Sequence, residues 1–130
     1  KKIGANESVS RESNLIKELG KNKFDVVIDL VSGENWNQLL EILKPGGRYA
    51  TSGAIAGPLV GLDIRTLYLK DLTFYGCTYQ PIEVFKNLIK YIEKGEIKPL
   101  VAKTYPLKEI KKAQEDFLSK KHVGKLVLTN

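Results

Sequence analysis

The 130-residue sequence contains no methionine and only one cysteine, one histidine and one tryptophan. A lone Cys77 forms no internal disulfide, and with His122 as its only soft companion it cannot complete a four-ligand zinc site. No apolar run approaches the roughly 20 residues that cross a bilayer. No charged-then-apolar leader opens the chain, so no membrane or secretory role is read for this stretch and a cytoplasmic, reducing setting is expected. A chain that starts at Lys1 without any methionine reads as part of a longer protein.

Arginine is scarce as well: Arg11, Arg48 and Arg65 are the only three. The net charge of +6 comes entirely from lysines after Phe85, because ten basic and ten acidic residues cancel before that point. A nucleic-acid surface usually combines arginines with stacking aromatics. Here Lys86, Lys90 and Lys94 recur every four residues, the pattern of the wet face of an ordinary helix. No nucleic-acid partner is expected.

What the sequence does hold is a 42% apolar complement, enough for a packed core. Strand-like and helix-like stretches alternate along it. Glu7 to Ser10 reads as a short strand, and Ser13 as the cap of a helix that Gly20 stops. Phe24 to Val31 is almost wholly apolar and β-branched, the signature of a strand covered on both faces. Trp36, Leu39, Leu40 and Leu43 then share a helical face that Pro45-Gly46-Gly47 ends. Arg48 to Thr51 resumes a strand, Ile64 to Leu69 a short helix, and Leu72 to Thr78 another strand. A helix over Val84 to Ile92 closes at Gly95, another begins at Pro106, and Lys125 to Thr129 is a final strand. The alternation predicts an α/β fold with a parallel sheet.

Ligands of open α/β sheets bind beyond the carboxyl ends of the strands. Those ends carry Val31-Ser32-Gly33, Ser52-Gly53-Ala54 and Gly76-Cys77-Thr78. Small residues there let a flat ring or a sugar approach the backbone, whose N–H and C=O groups give directional hydrogen bonds. The plainer reading is that Gly and Ser merely make the turns. A phosphate cradle is missing, since no G-x-G-x-x-G or Walker pattern occurs. Asp29 lies in an apolar strand and needs partners; it either orders a loop beside a cofactor or accepts backbone N–H groups of the next turn. Cys77 reads equally as a small buried hydrophobe. His122, without an evident partner, reads as structural or surface.

The runs FDVVIDLVSG, LLEILKPGGRYATSG, LTFYGCTY and YPLKEIKKAQEDFLSKKHVGKLVL together resemble the medium-chain dehydrogenase/reductase superfamily. Within it the chain looks most like the quinone-oxidoreductase branch of the zinc-type alcohol dehydrogenases. The resemblance implies a partial Rossmann-type, doubly wound parallel sheet lacking its first two strands, with IGANESVSRES as its third strand and lead-in. It implies that residues 1–124 are the C-terminal part of a dinucleotide-binding domain. Residues 125–130 would be a closing strand that returns toward a catalytic domain outside the chain. It also implies an NADP(H)-dependent oxidoreductase, with NAD(H) as the alternative cofactor, acting on a small-molecule substrate. Val31, Ser32, Ser52, Gly53, Ala54, Cys77 and Thr78 would meet the nicotinamide half, and Lys125 the phosphates. No catalytic residue and no zinc site are implied within these residues.

Leu43-Lys44-Pro45-Gly46-Gly47 also matches a passage common in S-adenosylmethionine methyltransferases, which usually end in an antiparallel strand pair. A non-enzymatic module using its lysine face is a third reading. Under the dehydrogenase resemblance, three expectations follow. The seven rim residues share one edge of the sheet. The chain alone binds nicotinamide dinucleotide weakly or not at all and lacks reductase activity. With Phe24 to Val31 exposed at one edge and Leu72 to Thr78 at the other, the chain self-associates through a sheet edge, or its N-terminal segment up to Gly20 detaches, swaps or repacks.

Overall fold

The computed structural model describes residues 4–130. Its contacts separate a unit ending at Tyr79 from a second unit, Gln80–Asn130. The expected boundary at Gly124 falls inside the second unit.

In the first unit, β1 (Phe24–Asp29), β2 (Leu43–Thr51) and β3 (Thr73–Gly76) form a parallel sheet in that order. Parallel strands need crossovers, and α2 (Trp36–Glu41) and α3 (Ile64–Leu69) supply them. The helix α1 (Leu15–Leu19) precedes the sheet. Its core gathers Val27, Trp36, Leu40, Ile42, Leu43, Tyr49 and Leu72. Trp36, Tyr49 and Phe74 pack edge-on or tilted, with ring centroids 5.2–6.1 Å apart.

In the second unit, α4 (Ile82–Glu93) leads to β4 (Val101–Pro106), and a short 3₁₀ turn opens α5 (Ile110–Ser119). The last strand, β5 (Lys125–Thr129), pairs in parallel with β4. Tyr105 and Ala113 are its buried residues. The described residues thus form parallel sheets joined by helices, as the alternation predicts. The strand β4 was not anticipated, because Val101 to Pro106 mixes lysine, proline and apolar residues without a clean period.

Four local expectations need correction. Glu7 to Ser10 is not a strand; the sheet offers it no neighbour, and Glu7 instead pairs with Lys23 at 3.6 Å. Asn14, not Ser13, caps α1, its side chain accepting from the Lys17 N–H. The helix α2 ends at Glu41, and Pro45-Gly46-Gly47 lies within β2 as a bulge between the pairs Phe24–Leu43 and Val26–Arg48. Gly46 makes that bulge possible with a φ of +74° and an N–H bond to the Lys70 carbonyl. Finally, β1 is covered on one face only within its unit: Val27 and Asp29 are buried, whereas Val26 and Ile28 are exposed.

Candidate functional site

Because β1, β2 and β3 run parallel, their carboxyl ends meet at one edge. Val31 and Ser32 follow β1, Ser52, Gly53 and Ala54 follow β2, and Cys77 and Thr78 follow β3. All seven rim residues therefore lie at one end of the sheet, as expected. Lys125 belongs to the second unit, where it is exposed and its N–H is bonded to the Leu100 carbonyl.

The rim is divided in two. Val31 and Ser32 help line a depression of about 440 Å³ with Asp29, Asn35, Trp36 and Ala56. Ser52, Gly53, Ala54, Cys77 and Thr78 line another of about 500 Å³ with Thr51, Gly76 and Tyr79. Hydrogen bonds tie the loops to one another: Ser52 N–H to Asp29 O at 3.1 Å, Cys77 N–H to Thr51 O at 2.8 Å, and Ala56 N–H to Val31 O at 2.9 Å. The Ser32 hydroxyl lies 3.3 Å from the Gly53 carbonyl, linking the two depressions.

Asp29 organises the first loop. Its Oδ1 accepts the N–H groups of Val31 and Ser32 at 2.8 and 3.0 Å, and its Oδ2 accepts the Tyr49 hydroxyl at 2.7 Å. Tyr49 in turn accepts the Trp36 Nε1–H at 2.7 Å. Burial pushes the Asp29 pKa up, but the Ser32 N–H, the Tyr49 hydroxyl and the Val31 N–H outweigh it, and the carboxyl titrates below its usual range. Burial, then the bond to Asp29, raises the Tyr49 phenol. The caging of Asp29 lets Ser32 hold a left-handed φ of +54° and Gly33 one of +91°. Of the two readings open for Asp29, the second is what the structure shows: it accepts the next turn's N–H groups and so orders the loop that carries Val31 and Ser32. Sequence reasoning passed over Tyr49 and Trp36 as its partners; the available signal was that buried Tyr and Trp need partners for their polar atoms.

What the rim offers is backbone. Among the described residues, the N–H groups of Gly53, Ala54 and Thr78 donate to no protein acceptor. Ala54 and Thr78 are exposed and Gly53 partly so, and such donors suit the carbonyl or amide oxygens of a planar ligand.

A metal fits poorly. Among the described residues no group of three or more His, Cys, Asp or Glu side chains could hold one, and Cys77 and His122 belong to different units. The His122 Nδ1 is buried without a hydrogen-bond partner among the described residues, and its ring lies 6.0 Å from Phe117. No helix among the described residues is long and apolar enough to cross a membrane.

The family model for zinc-binding dehydrogenases matches residues 3–128. An acryloyl-coenzyme A reductase of Metallosphaera sedula is 33% identical over 119 residues, 90% of this chain and 36% of the relative. A quinone oxidoreductase of Mus musculus is 30% identical over 91% of this chain and 39% of its own length. A crystal structure of a candidate alcohol dehydrogenase from Sinorhizobium meliloti 1021 is 47% identical, with a TM-score of 0.87, over 98% of this chain and 37% of that one. The chain thus spans well under half the length of each of these three proteins.

Proposed function

The chain belongs to the zinc-binding dehydrogenase family, and on that premise we propose that it is the part of a longer oxidoreductase that receives the nicotinamide half of NAD(P)H. The observation that carries this reading is the shared rim of three parallel strand ends with unengaged N–H donors at Gly53, Ala54 and Thr78.

When bound, the dinucleotide supplies hydride chemistry. The residues of this chain bind and orient. The backbone donors engage carbonyl or amide oxygens, and the small side chains of Ser52, Gly53, Ala54 and Cys77 leave room for a flat ring. Val31 and Ser32, locked by Asp29, border the same edge. Lys125 is assigned to the cofactor phosphates on resemblance alone, as a point charge. NADP(H) is the preferred cofactor and NAD(H) the alternative. The substrates proposed for the whole protein are quinones or activated carbonyl and alkene compounds, and a reducing, cytoplasmic setting completes the reading.

The described residues contain no glycine-rich phosphate cradle, so affinity rests on the rim and is expected to be weak, in the millimolar range on the affinity scale. Titration of NADPH and NADH into the ¹⁵N-labelled chain tests this. Amide shifts concentrated at Ser52, Gly53, Ala54, Cys77 and Thr78 support it. Shifts produced by S-adenosylmethionine instead, or NADPH shifts confined to the lysines after Phe85, overturn it.

A further inference from the structure

The Gly53 carbonyl oxygen has two hydroxyl donors. Ser32 Oγ approaches it from the loop after β1 at 3.3 Å, and Thr51 Oγ1 from the end of β2, also at 3.3 Å. The Ser32 hydroxyl has one proton and a second acceptor, Asp29 Oδ2, at 3.4 Å; that oxygen already takes the shorter Tyr49 bond at 2.7 Å. The Gly53 backbone is also fixed by contact. A Cβ there would meet the Leu30 carbonyl oxygen at 2.6 Å, so glycine is what lets these two segments approach.

A peptide unit is planar, and in its trans form the C=O and the following N–H point in opposite directions; no cis bond occurs among the described residues. Anchoring the Gly53 oxygen in the clasp therefore aims the Ala54 N–H away from it. That N–H has no protein acceptor among the described residues, and Ala54 lines the second depression. We propose that Ser32 and Thr51 are positioning residues, whose hydroxyls fix the Gly53–Ala54 peptide so that the Ala54 N–H donates to a planar carbonyl or amide oxygen of the bound ligand. This rests on the dinucleotide reading and names one contact within it. A donor held in place before binding loses little conformational freedom when it binds.

The test separates the two ideas by measuring the chain with and without ligand. In the free chain, the ¹⁵N order parameter of Ala54 is expected near the rigid value of about 0.85, falling toward about 0.6 when both hydroxyls are removed in Ser32→Gly/Thr51→Val. Gly is chosen at position 32 because it accepts the positive φ without strain. Thr51→Ser, which keeps a hydroxyl, should restore most of the order on the Thr51 side. With ligand, nicotinamide mononucleotide should shift the Ala54 amide in the unaltered chain. The double variant should bind it about fivefold more weakly, the effect of one hydrogen bond, while the Thr78 shift persists. Unchanged Ala54 order in a folded double variant overturns the positioning role, whatever binds. Rim shifts that spare Ala54 overturn its role as donor. No rim shift at all, with Ala54 order lost as expected, overturns the dinucleotide reading and leaves the clasp standing.

Discussion

The Tyr49 hydroxyl on β2 donates to the Asp29 carboxylate on β1 at 2.7 Å, crossing from one strand to its neighbour inside the core. The same oxygen accepts from Trp36 at 2.7 Å, so helix, central strand and edge strand are joined through one atom. At its far end the carboxylate holds the loop that carries Val31 and Ser32. Core packing and rim geometry are therefore connected.

Tyr49→Phe removes this junction while keeping the ring. It leaves the Trp36 Nε1–H without its partner and strips Asp29 of one donor inside the core. A loss of about 1–3 kcal/mol is expected, the cost of stranding buried polar groups. Urea unfolding of the variant beside the unaltered chain measures it; a midpoint within error of the parent would show that the bonds do not form in solution.

The Asp29 carboxyl titrates below its ordinary value of 3.8. The native state therefore favours the ionised form. The stability tied to it is fully present above the unfolded pKa and is lost as pH falls through the lower folded value. Asp29→Asn should be less stable than the parent at pH 7, and the gap should narrow as the pH is lowered through the acid range. Thermal melts at a series of pH values check this, and a gap that widens on acidification would contradict it.

Gly53→Ala and Gly76→Ala should part company. A Cβ at Gly53 meets the Leu30 carbonyl oxygen at 2.6 Å, whereas at Gly76 nothing lies within 4 Å. Backbone cannot yield as a side chain can, so the first substitution is expected to cost about 1–3 kcal/mol. The second should stay within about 0.5 kcal/mol. Equal stabilities by denaturant unfolding would refute the close approach of the two loops.

The edge strand β1 gives a prediction about assembly. It flanks the sheet with β2 on one side only, and Ile28 is 73% and Leu30 58% exposed. A long apolar edge without proline invites pairing. The chain is expected to self-associate as concentration rises, and Ile28→Lys to reduce that association without lowering stability by more than a few tenths of a kcal/mol. Light scattering that finds a monomer at every concentration would end the proposal.

Much of this protein was legible in the sequence because much of it is local. Ile64 to Leu69 and Lys125 to Thr129 were read with the bounds the structure shows. Gly20 and Gly95 stop their helices with φ values of +81° and +74°, a backbone state that favours glycine. The rim was also legible, since parallel strands in an α/β chain must end at one edge and the small residues mark those ends.

Other features depended on neighbours far along the chain. LKPGG reads as a helix stop in isolation, yet Leu43 pairs with Phe24, and the following residues bulge so that Arg48 can meet Val26. Glu7 to Ser10 carries one strand-favouring residue, Val9, and among the described residues no strand pairs with it; a strand exists only through its partner's hydrogen bonds. Composition and periodicity determined the α/β class and the location of the candidate site. Tertiary structure alone decided that Asp29 meets Tyr49, and that the Ser32 hydroxyl from the loop after β1 meets the Gly53 carbonyl. The Tyr49–Asp29 and Ser32–Gly53 bonds join residues 20 and 21 positions apart, and no local pattern encodes the distance between them.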